Sequence, residues 1–208
     1  AVDDMATALQ NREAGIRAYS DHVTHELKSP LTSITAAAEL LEGDLSEHDR
    51  NELISSIRTS STRMQDLLDS LRKLATARTP YGRGPTLVSA ILADLLSPLE
   101  VQLEQNGELP IDEAALRAVL EQLTRNAAEH GATELRIAWQ TNGLVITDNG
   151  PGIAAGDRAR VFDPFFTTQR SSGGTGMGLA IVRAMLEANG AQITLMPSKS
   201  GAAFEIVF

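Results

Sequence analysis

The segment His25-Glu26-Leu27-Lys28-Ser29-Pro30-Leu31 sets an imidazole beside a carboxylate and one helical turn before a hydroxyl. An unperturbed imidazole is mostly neutral at pH 7, so one ring nitrogen carries a lone pair that can attack an electrophile. A neighbouring carboxylate can hold the reactive tautomer and accept the ring proton during attack. Glu26 is the candidate for that task, and the Ser29 hydroxyl is placed to orient a water toward a modified imidazole. Pro30 removes a helical hydrogen bond and clashes with the carbonyl of Glu26, which predicts a kink one turn past His25. A lone helical histidine is most often a surface residue without a role, and His22 and His48 read that way.

Three further constellations point to a nucleotide. On a helix expected over Asp112–Glu129, Gln122, Asn126 and Glu129 share a face apart from the apolar stripe Leu116, Leu120, Leu123 and Ala127. That face is either simply solvated or offers the Asn126 amide oxygen to Mg²⁺, a cation that prefers oxygen ligands and keeps several waters. Asp148-Asn149-Gly150-Pro151-Gly152-Ile153 follows an expected strand. It reads as a D-N-G turn, or as an aspartate accepting from the exocyclic amine of adenine, with glycines that let a base approach the backbone. Gly173-Gly174-Thr175-Gly176-Met177-Gly178-Leu179 leads into a helix, and glycines at a helix N-terminus expose N–H groups suited to phosphate. No Gly-Lys-Ser/Thr follows, so this is not a P-loop, and there is no βαβ context for a dinucleotide fold.

The elements that must carry these groups fall into two halves. Residues 1–77 hold one proline, Pro30, and two glycines, Gly15 and Gly43, and read as helical. Val2, Met5, Leu9, Arg12, Ile16, Tyr19 and Val23 follow a heptad spacing with one polar exception, continued by Leu27, Leu31, Ile34, Ala38 and Leu41. The steps of four from Tyr19 to Leu31 form a stutter. At about 100° per residue, His25 lies about 200° from Leu27 and about 180° from Ile34, so it should face solvent. Gly43-Asp44 ends the first helix, and Leu53, Ile57, Ser60, Met64, Leu67, Leu71 and Leu74 form the seam of a second. Two such helices make an antiparallel hairpin that cannot enclose its own apolar stripe, so a homodimeric four-helix bundle is expected.

Thr79–Pro85 (TPYGRGP) is a Pro/Gly linker. Beyond it a helix is expected over Leu87–Leu96, a strand over Glu100–Gln105, the Asp112-capped helix to Glu129, and a strand with Leu135, Ile137 and Trp139 alternating. Asn142-Gly143 signals a hairpin into Leu144–Thr147. A long loop leads to a helix over Gly176–Asn189, stopped by Gly190, and Gln192–Met196 with Ala203–Phe208 forms a last hairpin. This predicts an α/β sandwich.

Composition narrows the partners. The chain of 208 residues is 42% hydrophobic and 22% charged, ordinary for a globular protein, with net charge −9 and no cationic block. That argues against nucleic acid. Without cysteine there are no disulfides, thiolate metal sites or cysteine nucleophiles. No apolar run approaches the ~18 residues that span a bilayer, and no signal peptide is visible. A start at Ala1-Val2-Asp3-Asp4, with no Met, suits a fragment of a longer protein.

The order H-E-x-K-S-P-L, an asparagine box, D-N-G-P-G-I, F-D-P-F-F-T-T and G-G-T-G-M-G-L resembles bacterial sensor histidine kinases across residues 15–208. The second half is similar to the Bergerat ATP-binding fold of gyrase, the Hsp90 chaperones and MutL, and residues 2–20 resemble the exit helix of a HAMP signalling module. The resemblance implies a signalling helix over 1–20, a dimerisation and phosphotransfer domain over 15–78, a hinge over 79–86 and a catalytic ATP-binding domain over 87–208. It implies a kinase that takes phosphate from ATP·Mg²⁺ onto His25, with Glu26 as acid/base partner, and passes it to an aspartate of a response regulator receiver domain. Ser29 would hold the phosphatase position. Asn126 would bind Mg²⁺ and Asp148 would read adenine, with Gly150 and Gly152 shaping the base pocket and His130 beside it. Phe162–Gly174 would be the ATP lid, anchored by Phe165 and Phe166, and Gly174, Thr175, Gly176, Gly178 and Leu179 would line the triphosphate. The family would place the chain on the cytoplasmic side of an inner membrane, tethered by an upstream segment.

Departures are visible too. Gln122 stands where the family often has a second asparagine, Glu129 where a basic residue is common, and the lid is short. The phosphate grip then falls to Arg170 or Arg125, and Ser29 leaves dephosphorylation open. Two other readings remain: an ATP-driven clamp of the gyrase kind, which would carry a catalytic Glu at the place of Gln122, and a dimeric scaffold that binds ATP without transferring it.

Overall fold

The computed structural model describes residues 2–79, 84–141, 143–170, 173–198 and 200–208, with only the backbone course described for residues 2–18. The chain divides into two compact units, Ala1–Asp69 and Ser70–Phe208. No helix among the described residues is long and apolar enough to cross a membrane.

Helix α1 (Val2–Leu40) runs through Pro30, and α2 spans Glu47–Ala77. The chain leaves α1 through hydrogen bonds from Leu41 N to the Ala37 carbonyl and from Gly43 N to the Leu40 carbonyl. It enters α2 through Ser46, whose hydroxyl accepts from Asp49 N at 3.1 Å and donates to Asp49 Oδ2 at 2.7 Å. This reciprocal bonding satisfies an N–H at the start of α2 that has no partner within the helix.

The α2 seam is as expected: Leu67 and Leu74 are buried, and Leu53, Ile57, Ser60, Met64 and Leu71 are half-buried. On α1 the packed series differs. Pro30 and Ala37 are buried, with Leu27, Ile34 and Leu41 half-buried, whereas Leu31 is 52% exposed and Ala38 is exposed. The steps from Leu27 are therefore three and four, a regular heptad, with no stutter after Leu27 on the packed face. The reason is angular: positions 30, 34, 37 and 41 continue the stripe from Leu27, and Leu31 and Ala38 lie about 100° round the helix from Pro30 and Ala37. Leu31, Leu40, Ile54 and Leu68 remain as exposed large apolar side chains on the two helices. The heptad positions from Val2 to Ile16 lie where side chains are outside the described residues, as do Pro80–Arg83 of the linker.

The second half is a mixed sheet with helices against it. Short strands β1 (Thr86–Leu87) and β3 (Glu108–Leu109) pair antiparallel. Between them lie the single-turn helix α3 (Val88–Leu92) and strand β2 (Glu100–Gln105). The expected helix over Leu87–Leu96 is thus cut at both ends. Leu87 belongs to β1, and Leu96 is 83% exposed ahead of Ser97-Pro98, where proline restricts the preceding backbone to extended forms. Helix α4 (Glu113–Glu129) starts at Asp112, whose Oδ1 accepts from Ala114 N at 2.9 Å and Ala115 N at 3.4 Å, the expected cap.

Strands β4 (Glu134–Gln140) and β5 (Gly143–Asp148), helix α5 (Gly178–Ala188), and strands β6 (Gln192–Met196) and β7 (Ala203–Val207) complete the fold. The sheet order is β2-β4-β5-β7-β6, antiparallel except for β2 beside β4. Alternation places Leu135 and Ile137, Leu144 and Ile146, and Phe204 and Ile206 in the core. Helices α4 and α5 contact each other and bury Leu116, Leu120, Leu123, Val182 and Leu186. The β4–β5 hairpin closes at Gln140↔Gly143, and Asn142 of the expected turn signal lies outside the described residues.

Gly143 sits at a backbone-to-backbone approach, since a Cβ there would lie 1.8 Å from the Ile206 carbonyl oxygen. Gly143→Ala is expected to destabilise the α/β half by about 1–3 kcal/mol through overpacking. Urea denaturation followed by Trp139 fluorescence measures it, and an unchanged midpoint would refute the close approach.

Candidate functional site

Asp148 ends β5, and its side chain is fastened by backbone. Its Oδ1 accepts from Gly150 N at 2.9 Å and from Ala202 N at 3.0 Å, while its own N–H donates to the Ala202 carbonyl at 3.0 Å. Both side-chain bonds fall on one oxygen, which leaves Oδ2 to accept from a ligand. This arrangement needs Gly201, at φ +70°, where a Cβ would lie 1.7 Å from the Asp148 carbonyl oxygen. It also needs Gly152, at φ +77°, where a Cβ would sit 2.9 Å from the Gly201 carbonyl oxygen. Side chains would hold these two segments apart.

Asn149 is a tie between the loop and β4. Its Oδ1 accepts from Thr133 N at 2.9 Å and Glu134 N at 3.1 Å, and its Nδ2 donates to Thr133 Oγ1 at 2.9 Å. The loop start is therefore anchored on two sides, to β4 through Asn149 and to β7 through Asp148. Neither Asn149 nor Gly201 was singled out in the sequence. The only sequence signals were the D-N-G triplet itself and an isolated glycine before the last strand.

The second cluster lies where α4 meets the start of α5. A Cβ on Gly178 would lie 2.7 Å from Gln122 Nε2 and 3.9 Å from Asn126 Oδ1. The amides of Gln122 and Asn126, one turn apart on α4, therefore face the first residue of α5. Glu129 and Arg125 are exposed, and half-buried His130 is the C-terminal cap of α4, its N–H bonded to the Asn126 carbonyl at 3.2 Å.

The loop before α5 is held by Phe165, which is 3% exposed and adopts φ +67°. For a bulky residue that conformation is strained and persists only when surroundings impose it. Here Arg170 Nη2 donates to the Phe165 carbonyl at 3.4 Å, and Gly176 packs against it so closely that a Cβ would lie 2.5 Å from the Phe165 carbonyl carbon. Phe166 is half-buried beneath the Arg160 guanidinium, 4.7 Å from its ring centre, and Phe162 meets Phe204 edge-on at 6.2 Å. Gly174 donates to the Gln169 carbonyl at 3.0 Å, and Thr175 and Leu179 are half-buried. Ser171 and Ser172 of the expected lid lie outside the described residues.

These two clusters offer a carboxylate oxygen, amide oxygens and glycine N–H groups at a helix start. That donor set suits a nucleotide with a hard cation. Among the described residues no group of three His, Cys, Asp or Glu could hold a metal ion.

In the helical unit, His25, Lys28 and Ser29 are exposed and Glu26 is half-buried, so the imidazole faces away from the packed seam. The Arg63 guanidinium of α2 lies 3.7 Å from Glu26 Oε2. Sequence reading did not single out Arg63, because nothing in local spacing links it to Glu26.

Comparison with known proteins follows the same two-part division. Residues 17–80 match the family described as His Kinase A (phospho-acceptor) domain. Residues 111–208 match the family described as histidine kinase-, DNA gyrase B-, and HSP90-like ATPase. Sensor histidine kinase CpxA of Escherichia coli is 27% identical over 207 residues, covering 89% of this chain and 45% of its own. Probable sensor histidine kinase TcrY of Mycobacterium tuberculosis is 31% identical over 233 residues, covering 99% of this chain and 49% of its own. The chain spans about half the length of these curated relatives. The crystal structure of histidine kinase ThkA in complex with response regulator protein TrrA shares the fold, with a TM-score of 0.71 at 18% identity over 95% of this chain and 62% of that one.

Asn149→Ala removes three hydrogen bonds between the loop and the start of β4. These bonds are exposed, so the loss is expected to cost about 1 kcal/mol, the net worth of an intramolecular hydrogen bond whose partners can turn to water. Thermal unfolding by calorimetry tests this, and a melting temperature equal to wild type would contradict the tie.

Proposed function

The chain belongs to the sensor histidine kinases, and on that premise we propose that it is their catalytic core, taking phosphate from ATP onto His25 and passing it to a response regulator. The observation that carries this reading is the pairing on one chain of an exposed His25, in a phospho-acceptor domain, with a glycine-lined site in an ATPase domain.

In the proposed mechanism Asp148 Oδ2 accepts from the exocyclic amine of adenine, while Gly150 and Gly152 let the base lie close to backbone. The N–H groups around Gly174, Gly176 and Gly178 at the start of α5 hold the phosphates, and the helix end adds favourable charge. Asn126 would ligate Mg²⁺, which neutralises charge on the phosphates. Gln122, one turn away, stands where the clamp ATPases carry their water-activating glutamate; an amide cannot take a proton, which favours transfer to the protein over hydrolysis. Arg170 and the Phe165 turn would serve the lid.

His25 Nε2 then attacks the γ-phosphorus in line, the bond to the bridging oxygen breaks, and ADP leaves with that electron pair. Glu26 takes the proton from Nδ1. Positioning and charge neutralisation supply most of the rate. In the second step a receiver aspartate attacks the phosphorus, the bond from phosphorus to Nε2 breaks with its electron pair going to the ring, and Glu26 returns the proton to Nδ1, which restores neutral His25. That ThkA, which shares the fold, forms a complex with response regulator protein TrrA supports a regulator as the partner.

A homodimer follows from the exposed apolar side chains. Ile54 and Leu68 are two heptads apart on α2, Leu31 and Ala38 one heptad apart on α1, and a second hairpin would cover both stripes. A membrane-bound sensor upstream belongs to the same proposal, supported by sensor kinase relatives about twice this length, as does a hinge at 79–86, for which the Pro/Gly composition of the linker is the support.

Incubation with γ-labelled ATP should give acid-labile, base-stable label on the chain. His25→Ala should abolish it, and label that survives the substitution or resists acid would defeat the assignment. Asp148→Ala should weaken nucleotide binding about 10- to 100-fold, as expected for a hydrogen bond to a charged group. Calorimetric titration with a non-hydrolysable ATP analogue measures that, with unchanged affinity as the contrary result.

A further inference from the structure

Glu26 and Arg63 face each other from about four helical turns on either side of the α1–α2 turn. The guanidinium Nη2 lies 3.7 Å from Oε2, and the side chains are 13% exposed for Glu26 and 36% for Arg63. Partly exposed ion pairs of this kind contribute little to stability. The pair instead has a positional effect. It draws the carboxylate next to His25 into the groove between the helices, while the imidazole itself stays exposed. At 3.7 Å the contact is longer than a hydrogen bond, so Arg63 acts on the carboxylate through attraction between charges.

We propose that Arg63 is a positioning residue for phosphoryl transfer: from α2 it holds the Glu26 carboxylate where that group can take the Nδ1 proton of His25. The inference rests on the reading of His25 as phosphoacceptor. It places part of the proton-transfer apparatus on the second helix of the hairpin. The distance between α1 and α2 at this level then bears directly on how fast His25 reacts. On this proposal the effect of Arg63 passes through Glu26, the carboxylate its guanidinium faces.

Initial rates of His25 labelling across ATP concentrations test this for the whole chain, its Arg63→Ala, Arg63→Gln, Arg63→Lys and Glu26→Gln variants, and the Glu26→Gln/Arg63→Ala double variant. Loss of the cation should lower kcat about tenfold, a fraction of what a general base supplies, and leave KM for ATP unchanged. Arg63→Lys should recover most of the rate by restoring the charge. The double variant should be no slower than Glu26→Gln alone, because residues acting as a unit are not additive. A mere packing role would slow the double variant further and would not be rescued by charge. Wild-type rates in Arg63→Ala, or losses that multiply in the double variant, would overturn the proposal. If Arg63→Ala does not fold, Arg63→Gln carries the same comparison with side-chain length retained. A wild-type chain that takes no label on His25 would overturn the phosphoacceptor reading itself. Labelled wild type with an unaffected Arg63→Gln would overturn this inference alone.

Discussion

The α/β half turns on one carboxylate oxygen. Asp148 Oδ1 accepts N–H groups from two stretches of chain 52 residues apart in sequence, at Gly150 and at Ala202. That bond geometry requires the β5–β7 register, in which Thr147 faces Ala203 and the next residues outward meet at Asp148 and Ala202. The register is set by which side chains must be buried: Leu144 and Ile146 on β5, Phe204 and Ile206 on β7. A slip by one residue would turn all four to the opposite face. Core packing thus decides where a functional carboxylate points.

The other end of the site obeys a steric constraint. Phe165 is driven into a left-handed backbone conformation because its ring is buried and Gly176 abuts its carbonyl. From Gly176 the chain turns into α5 with Met177 fully buried, which fixes Gly178 against the amides of Gln122 and Asn126. The glycines are therefore required by their neighbours even before any ligand is considered. Loop packing and the proposed phosphate binding ask for the same small residue at Gly176 and Gly178.

Much of this was legible in the sequence where the signal is local. The capping aspartate at 112, the alternating strand through Leu135 and Ile137, and the stop at Gly190 each depend on neighbours within a turn or two. The misses share a different cause. Two-residue strands β1 and β3 carry no alternation to read and exist only through each other. Pro30 and Ala37, which pack within the hairpin, stand one residue from Leu31 and Ala38, and heptad spacing alone does not tell a stripe packed within one chain from one left for a second copy. Gly201, Asn149 and Arg63 act on partners 53, 15 or 16, and 37 positions away, and no periodicity encodes such pairings.

Helix α1 has one more property, a mechanical one. It continues from Val2 past His25 to Leu40, and its only proline stands at position 30. Proline cannot donate to the carbonyl four residues back, so the rod lacks one rung of its hydrogen-bond ladder at Glu26. A twist or bend applied anywhere along α1 will be taken up where the backbone is softest. The compliance of the whole helix is thereby concentrated in the single turn that carries His25 and Glu26, so a load on either end is felt first by the proposed phosphoacceptor and its neighbour.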